Sequence, residues 1–379
     1  MIRLLAFGTF LALVALLLHL RYVRATRLPR PYSIAADAVL VVTWILALIG
    51  TGSGELFDPK WSRLPAFVGL SWLAVVLYLV LGTLAVGIVT FGIRLVMAAR
   101  RRESVAVRLR VTRIGSAVVA TASVAAVAYG LIEAAHPKVT DTTVALDRLP
   151  TEFDGTRVAL VSDLHVGPAR GAGFVQKVVD EVNAQSPDIV VLDGDLIDGT
   201  VELVGSDLAP LAELSAPLGV FAVSGNHEFY AGDGGEWLDL IQTLGVTVLR
   251  NELQPVTVSG ATIDIAGIND ATAPAPYEPN LAAALDGRDP DRFVMLLAHQ
   301  PLQAFEASDL GVDFQMSGHT HAGQMWPLRY LVPLQQPSIE GLDTVGETAL
   351  YTTRGAGAWG PPVRVAAPPE IAMLQLVSS

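Results

Sequence analysis

Five short blocks hold the residues of this chain whose types and spacing could do chemistry. They are Asp163-Leu164-His165, Gly194-Asp195 with Asp198 three places on, Gly225-Asn226-His227-Glu228, His299-Gln300, and Gly318-His319-Thr320-His321. The chain has seven histidines, and five of them fall in these blocks, which scatter by chance would not produce. Imidazole nitrogen and carboxylate oxygen together suit borderline divalent ions such as Mn, Fe or Zn, and a shared carboxylate can hold two of them roughly 3.5–4 Å apart. With no cysteine anywhere, thiolate zinc sites, disulfides and cysteine nucleophiles are excluded. Taken alone each block is weak: a single His299 reads more simply as a satisfied buried histidine, and a lone Asp-x-His occurs by accident. The five together point to metal binding.

Such side chains must be delivered by rigid elements. Short apolar, β-branched runs end just before each block: Arg157 to Ser162, Asp188 to Leu192, Val220 to Ser224, Phe293 to Ala298 and Asp313 to Met316, with a further run at Thr262 to Ala266. They suit strands buried on both faces, and Gly173 to Ala184 has helical spacing of its apolar positions. This predicts an α/β layered architecture, in which ligands sit at the carboxyl ends of the strands. Thr348 to Thr353 and Ile371 to Val377 are candidates to complete a second sheet, while Gly232 to Gly235 and Ala271 to Asn280 read as loops.

In this order the blocks DxH, GDxxD, GNHE, H and GHTH resemble the calcineurin-like metallophosphoesterase family, from about Thr156 to the C-terminus. The wider pattern, GHTHAGQ at Gly318 to Gln324, Arg354-Gly355-Ala356-Gly357 and Pro369-Glu370, is similar to the membrane-anchored bacterial phosphodiesterase branch. The resemblance implies a four-layer α/β/β/α sandwich. It also implies that Asp163, His165 and His321 hold one divalent ion, that Asn226, His299 and His319 hold the other, and that Asp195 bridges both. On this reading two ions clamp phosphate oxygens and make a hydroxide available near neutral pH for in-line attack on phosphorus, while His227 donates a proton to the leaving oxygen. Asn226, a neutral ligand, limits negative charge where an anionic substrate binds. Arg354 is a candidate phosphate contact or, equally, one arm of a structural salt bridge. Asp198 reads as an aspartate that supports a ligand from behind or caps a loop, with direct participation the lesser reading, and Glu228 as orienting His227 or facing solvent. Phe229, Tyr230, Trp237, Trp326 and Trp359 are core residues or a platform for an apolar or planar leaving group.

The rest of the chain is of a different kind. Hydrophobic residues make up 51% of the 379, and four runs are long and apolar: Leu4 to Leu20, Ile34 to Gly50, Pro65 to Ala99 and Ile114 to Ala135. The first, second and fourth are close to the roughly 20 residues that cross a bilayer core, and the third exceeds it, so it tilts or continues past the membrane face. The second is marginal, with Asp37 near its start; Arg3 ahead of the first also fits a cleavable signal, which leaves the other three unexplained. These observations predict a transmembrane helical domain over residues 1–135, a proline-punctuated tether over 136–156 and a catalytic domain over 157–379. His19 and His136 lie in or beside the membrane part and read as incidental.

Charge divides along the same line. Up to Ala134 there are 14 Lys+Arg against 5 Asp+Glu; the remainder carries 11 against 32. An acidic catalytic half disfavours nucleic acid as a partner. The connections after the first and third runs, Arg21 to Arg30 and Arg94 to Arg113, are arginine-rich and should be cytoplasmic, which places a C-terminal domain after four spans on the non-cytoplasmic side. The expected substrate is a phosphodiester, pyrophosphate or phosphomonoester, envelope-borne or lipid-linked, because a tether raises effective concentration in its own surface. A cytoplasm-facing phosphoprotein phosphatase and a non-catalytic, metal-dependent signalling module are the rival readings.

Overall fold

The computed structural model describes residues 2–379. Four long helices come first: α1 (Ile2–Leu18), continued by a π-helical stretch His19–Arg24, then α2 (Arg30–Gly52), α3 (Pro59–Ala99) and α4 (Val105–Ala134). All four are long and apolar enough to cross a membrane. At 1.5 Å rise per residue, α3 reaches about 60 Å, roughly twice the hydrocarbon thickness, so it extends beyond any one bilayer core. Large apolar side chains such as Leu13, Ile34, Val41, Ile88, Phe91 and Val118 point outward, as lipid contact requires.

Where helices cross, small residues let backbones approach. A Cβ on Gly69 of α3 would lie 2.1 Å from the Leu46 carbonyl oxygen of α2, so only glycine fits. Asp37, which made the second span doubtful, is not left alone: its Oδ1 lies 2.6 Å from Nδ1 of His19. His19 is therefore a polar clasp between the first two spans rather than an incidental residue.

The remainder is an α/β sandwich of two six-stranded sheets. The strands are β1 (Lys138–Leu146), β2 (Arg157–Val161), β3 (Ile189–Asp193), β4 (Val220–Val223), β5 (Thr247–Val248) and β6 (Glu252–Val258). They continue with β7 (Ala261–Gly267), β8 (Val294–Leu297), β9 (Phe314–Ser317), β10 (Gly341–Val345), β11 (Thr348–Thr352) and β12 (Glu370–Ser378). The first sheet runs β1-β12-β2-β3-β4-β5 and the second β10-β11-β9-β8-β7-β6.

Period-two alternation assigns each strand two cores. Val158, Leu160, Ile189 and Val191 face the second sheet and meet Ile263, Ile265, Met295 and Phe314. Ala159, Val161, Val190 and Leu192 face the other way, under helix α5 (Ala172–Ala184), whose Val175, Val178, Val179 and Val182 form an i, i+3, i+4, i+7 stripe. Each of these valines, fully withdrawn from water, contributes about 1.5–3 kcal/mol. Beyond the second sheet, Leu281, Ala284 and Ala307 cover Val294 and Leu296. The layering is helix, sheet, sheet, helix.

One expectation needs correction. Residues 138–146, read as part of a tether, form the edge strand β1, paired in parallel with β12 over the full register Lys138↔Glu370 to Leu146↔Ser378. Its polar, alternating sequence suits an edge with one face in water, and its partner lies more than two hundred residues away, so local pattern could not reveal the pairing.

The bundle is fastened to the sandwich. The turn between α2 and α3 accepts a hydrogen bond at Gly54 O from Thr200 N (2.9 Å), and Arg63 Nε donates to Gly167 O (3.2 Å). At the end of α4, Gly130 O accepts from Arg364 N (3.0 Å) and Ala134 O from Arg170 (3.2 Å).

Candidate metal centre

Five strands deliver the five blocks to one place. Asp163 and His165 follow β2, Asp195 follows β3, Asn226 and His227 follow β4, His299 follows β8, and His319 and His321 follow β9. The parallel register of β2, β3 and β4 in one sheet and of β8 and β9 in the other brings the carboxyl ends of the two sheets together. Hydrogen bonds then lace the loops: Asp163 N to Gly194 O (3.0 Å), His165 N to Asp195 O (3.1 Å), and His227 N to Asp195 Oδ1 (2.8 Å).

The backbone is strained where the candidate ligands sit. Asp163, His165, Asp195, His319 and His321 all have φ between 47° and 68°. Left-handed conformations cost non-glycine residues of order 1 kcal/mol or more and persist where the surroundings over-determine them, typically at functional sites. Here the strain turns consecutive side chains inward from tight loops.

Ring nitrogens and carboxylate oxygens converge at 3.0–3.2 Å. His165 Nε2 and His321 Nε2 are 3.0 Å apart, and His321 Nε2 is 3.2 Å from Asp163 Oδ1. On the other side His299 Nε2 is 3.2 Å from Asp195 Oδ2, yet it is buried without a hydrogen bond. His299 Nδ1 lies 2.6 Å from the Asp193 carbonyl oxygen; donating there turns Nε2 toward the cluster, where a cation could take the place of its proton. Asn226 turns Oδ1 toward His319 Nδ1 (3.0 Å), while its amide donates to the Tyr230 hydroxyl (2.8 Å), which fixes which end of the amide faces inward.

Two triads stand out, Asp163-His165-His321 and Asp195-His299-His319, each with candidate ligand atoms within 4.8 Å of one another. His165, Asp195 and His227 form a third such group between them. The orphaned His299 nitrogen, the facing His165 and His321 nitrogens and the two interior carboxylates fit divalent ions with N and O ligands. Every residue carried over from the family pattern as a ligand lies in this cluster.

The electrostatics agree. Burial would raise the Asp195 carboxyl, but His299 and His227 beside it hold it well below the usual range. Asp163 is likewise held low against burial, by His321 and His299. Burial pushes His321 down to about 3 despite Asp163. His227, opposed by burial, is raised to about 9 by Asp195 and Asp198. Interior carboxylates thus draw positive charge to the centre, which dications would supply.

Several supporting residues were not readable, or only half readable, from spacing. Asp198 supports the site from behind two of its histidines rather than capping a loop: its Oδ1 lies 2.5 Å from His227 Nδ1 and 3.1 Å from His165 Nδ1, joining a proposed ligand to the candidate proton donor. Glu228 neither orients His227 nor faces solvent. It is fully buried and accepts from Asp195 N (3.0 Å), Leu196 N (2.8 Å) and Gly225 N (2.6 Å), pinning two of the loops. Arg364, also fully buried, donates to His321 O (2.8 Å) and lies 3.0 Å from His321 Nδ1. No motif signals it. Arg354 takes the salt-bridge alternative: its guanidinium engages Glu370 (2.5 Å), Glu340 (3.4 Å) and the Pro368 carbonyl. Among the aromatics, Trp237 is core, whereas Tyr230 and Trp359 remain more than half exposed beside His227, with ring centroids 4.5 and 6.2 Å from it.

Comparison with known proteins points the same way. Residues 156–323 match the calcineurin-like phosphoesterase family model. The chain is 38% identical over 259 residues to a transmembrane protein with metallophosphoesterase domain of Danio rerio, covering 65% of this chain and 59% of that one. It is 40% identical over 247 residues to an uncharacterized metallophosphoesterase of Helicobacter pylori, covering 64% and 65% of the two chains. An uncharacterized metallophosphoesterase of Bacillus subtilis is 31% identical over 263 residues, with 66% of this chain and 90% of that protein covered. The chain therefore belongs to the calcineurin-like metallophosphoesterase family, while spanning about three-fifths of the length of the first two relatives.

Proposed function

We propose that the protein is a membrane-anchored phosphoester hydrolase that uses two divalent ions, with Asp163, His165 and His321 holding one, Asn226, His299 and His319 the other, and Asp195 both. The observation that carries this reading is the inward convergence of bare donor atoms, above all the orphaned His299 Nε2 against Asp195. Bound ions would supply Lewis acidity toward phosphoryl oxygens and lower the pKa of water. Asn226 offers a neutral oxygen, so that the site is not overloaded with negative charge against an anionic substrate. His227 is held by Asp198 at Nδ1, which leaves its Nε2 free to give a proton to the departing oxygen. With Arg354 bound to glutamates, His227 rather than a guanidinium faces the substrate phosphate, and ions held by the proposed ligands would supply the remaining positive charge.

The favoured reaction is phosphodiester or pyrophosphate cleavage at the non-cytoplasmic face, on an envelope or lipid-linked substrate. Arginine placement supports that face. Arg21, Arg27 and Arg108 line one cavity, and Arg113 donates to Thr26 O (2.8 Å), so both arginine-rich connections meet at one end of the bundle. The α2–α3 turn, by contrast, is bonded to the catalytic domain. The positive-inside rule then puts the arginine end in the cytoplasm and the domain outside. A cytoplasm-active reporter fused after Ser379 is expected to stay silent, and strong activity would reverse the orientation.

The chemistry is tested with the full chain in detergent, metal-stripped and reloaded in turn with Mn, Zn, Fe or Mg, on a chromogenic phosphodiester and the matching monoester. Turnover that needs metal and favours the diester is expected. A folded, metal-loaded protein that turns over neither would move the reading to a signalling module.

A further inference from the structure

A cavity of about 440 Å³ lies between the metal centre and the membrane bundle. One end is formed by His165, Asp198 and His227. The other is formed by Phe7 of α1, Gly50 and Thr51 of α2, and Leu70 and Leu73 of α3, with Ser53 and Glu55 of the α2–α3 turn beside them. Between them stand Tyr230 and Trp359, the exposed aromatic pair flanking His227. The cavity is therefore polar at the candidate metal centre and mostly apolar where Phe7, Leu70 and Leu73 of the membrane helices make its wall, with Glu55 at the edge of that wall.

Three further observations define what would fill it. The lining has no lysine or arginine among the described residues, so nothing in it is built to grip a second phosphate or an acidic protein surface. The wall is held in place, because Gly54 O accepts from Thr200 N and Arg63 Nε donates to Gly167 O, both beside the Asp198 loop. The size falls within the ~300–1,000 Å³ of small-molecule sites. Tyrosine and tryptophan sit well where one end is apolar and the other wet, as at a membrane surface.

We infer that the substrate is an amphiphile, a membrane lipid phosphoester whose phosphate lies at the metal centre and whose apolar chain runs past Tyr230 and Trp359 into the space between α1, α2 and α3. This rests on the hydrolase reading above and adds the substrate's class. The helices are then part of the binding site as well as an anchor. Each methylene withdrawn from water is worth roughly fourfold in affinity, so a few of them seated among Phe7, Leu70 and Leu73 would dominate selection.

The test compares two diesters with the same leaving group, methyl 4-nitrophenyl phosphate and hexadecyl 4-nitrophenyl phosphate, presented to the full-length Mn-loaded protein in the same detergent micelles. The ratio of their kcat/KM values is read for the wild type, Thr51→Trp and Leu73→Trp, which place bulk in the apolar end from two different helices. A wild-type ratio of at least about tenfold for the hexadecyl ester, falling severalfold or more in either variant, supports the inference. Methyl ester turnover with a ratio near one overturns the inference and leaves the hydrolase reading intact. A high ratio that neither variant changes also overturns it, because micelle partitioning then explains the preference. No turnover of either ester removes the hydrolase reading and the inference with it. Independently of turnover, native mass spectrometry of the metal-free protein should retain hexadecyl phosphate on the wild type and less of it on both variants; equal retention would count against the cavity.

Discussion

The two halves of this molecule bury opposite things. In the helical bundle the apolar side chains face out, small residues such as Gly69 lie between helices, and the polar pair His19–Asp37 is satisfied across two of them. In the sandwich, valines and isoleucines fill the layers, and the most polar cluster in the chain sits buried where the two sheets' strand ends meet. The bundle pairs its one interior carboxylate, Asp37, with an imidazole, because lipid offers no water to replace a lost partner. The sandwich instead gathers imidazoles and carboxylates in its interior, among them a His299 Nε2 with no hydrogen bond, an arrangement that divalent ions would complete.

That contrast can be broken most sharply at Asp195. Asp195→Asn keeps the shape but removes the charge that both proposed metal positions share. Diester turnover should fall below detection and bound metal, measured by mass spectrometry of the purified protein, should drop, while the helical signal of the bundle stays unchanged. Retained metal and turnover would sink the bridging role.

His227→Ala follows. It should lower kcat on the order of 10²- to 10⁴-fold, as loss of a proton donor does, with metal content retained. A leaving group of low pKa should recover most of the loss; uniform loss across leaving groups would argue against proton donation. Asp198→Asn, which weakens the hold on both His165 and His227, should cost roughly 10- to 100-fold, the range seen when a partner of a metal-bound histidine is lost.

The smallest effect tests the joint between the halves. Gly54 has φ of 85°, and a Cβ there would lie 2.5 Å from the Asp198 carbonyl oxygen. Gly54→Ala should destabilise by about 1–3 kcal/mol, seen as a lower Tm, and should reduce turnover through the Asp198 loop. A change in neither would show that the bundle and the catalytic loops are mechanically independent.

Much of the candidate centre was legible in the sequence because its clustered histidines and aspartates stand directly after strands buried on both faces. Those strands carry unmistakable β-branched runs, and histidine is rare enough that five placed alike are informative. The edge strand β1 was not legible: Lys-Val-Thr-Asp-Thr-Thr alternates as a solvated linker does, and only β12 makes it a strand. Arg354 shows the limit differently, since an arginine beside glycines fits phosphate or carboxylate equally until its neighbours Glu340 and Glu370 are located.

The sequence by itself determined the four apolar runs, the strand-end blocks and the chemistry of the donors, since these depend on residue type and short-range period. Only the tertiary structure decided that Asp198 joins His165 to His227, that Glu228 pins the loops around Asp195, that Arg364 braces His321, and that the first three helices wall a cavity opening on the metal centre. The physical reason is range: propensity and periodicity act over a few residues, whereas these contacts join segments from about thirty to more than one hundred and fifty residues apart. Their partners become neighbours only when both sheets and the bundle have closed on one another.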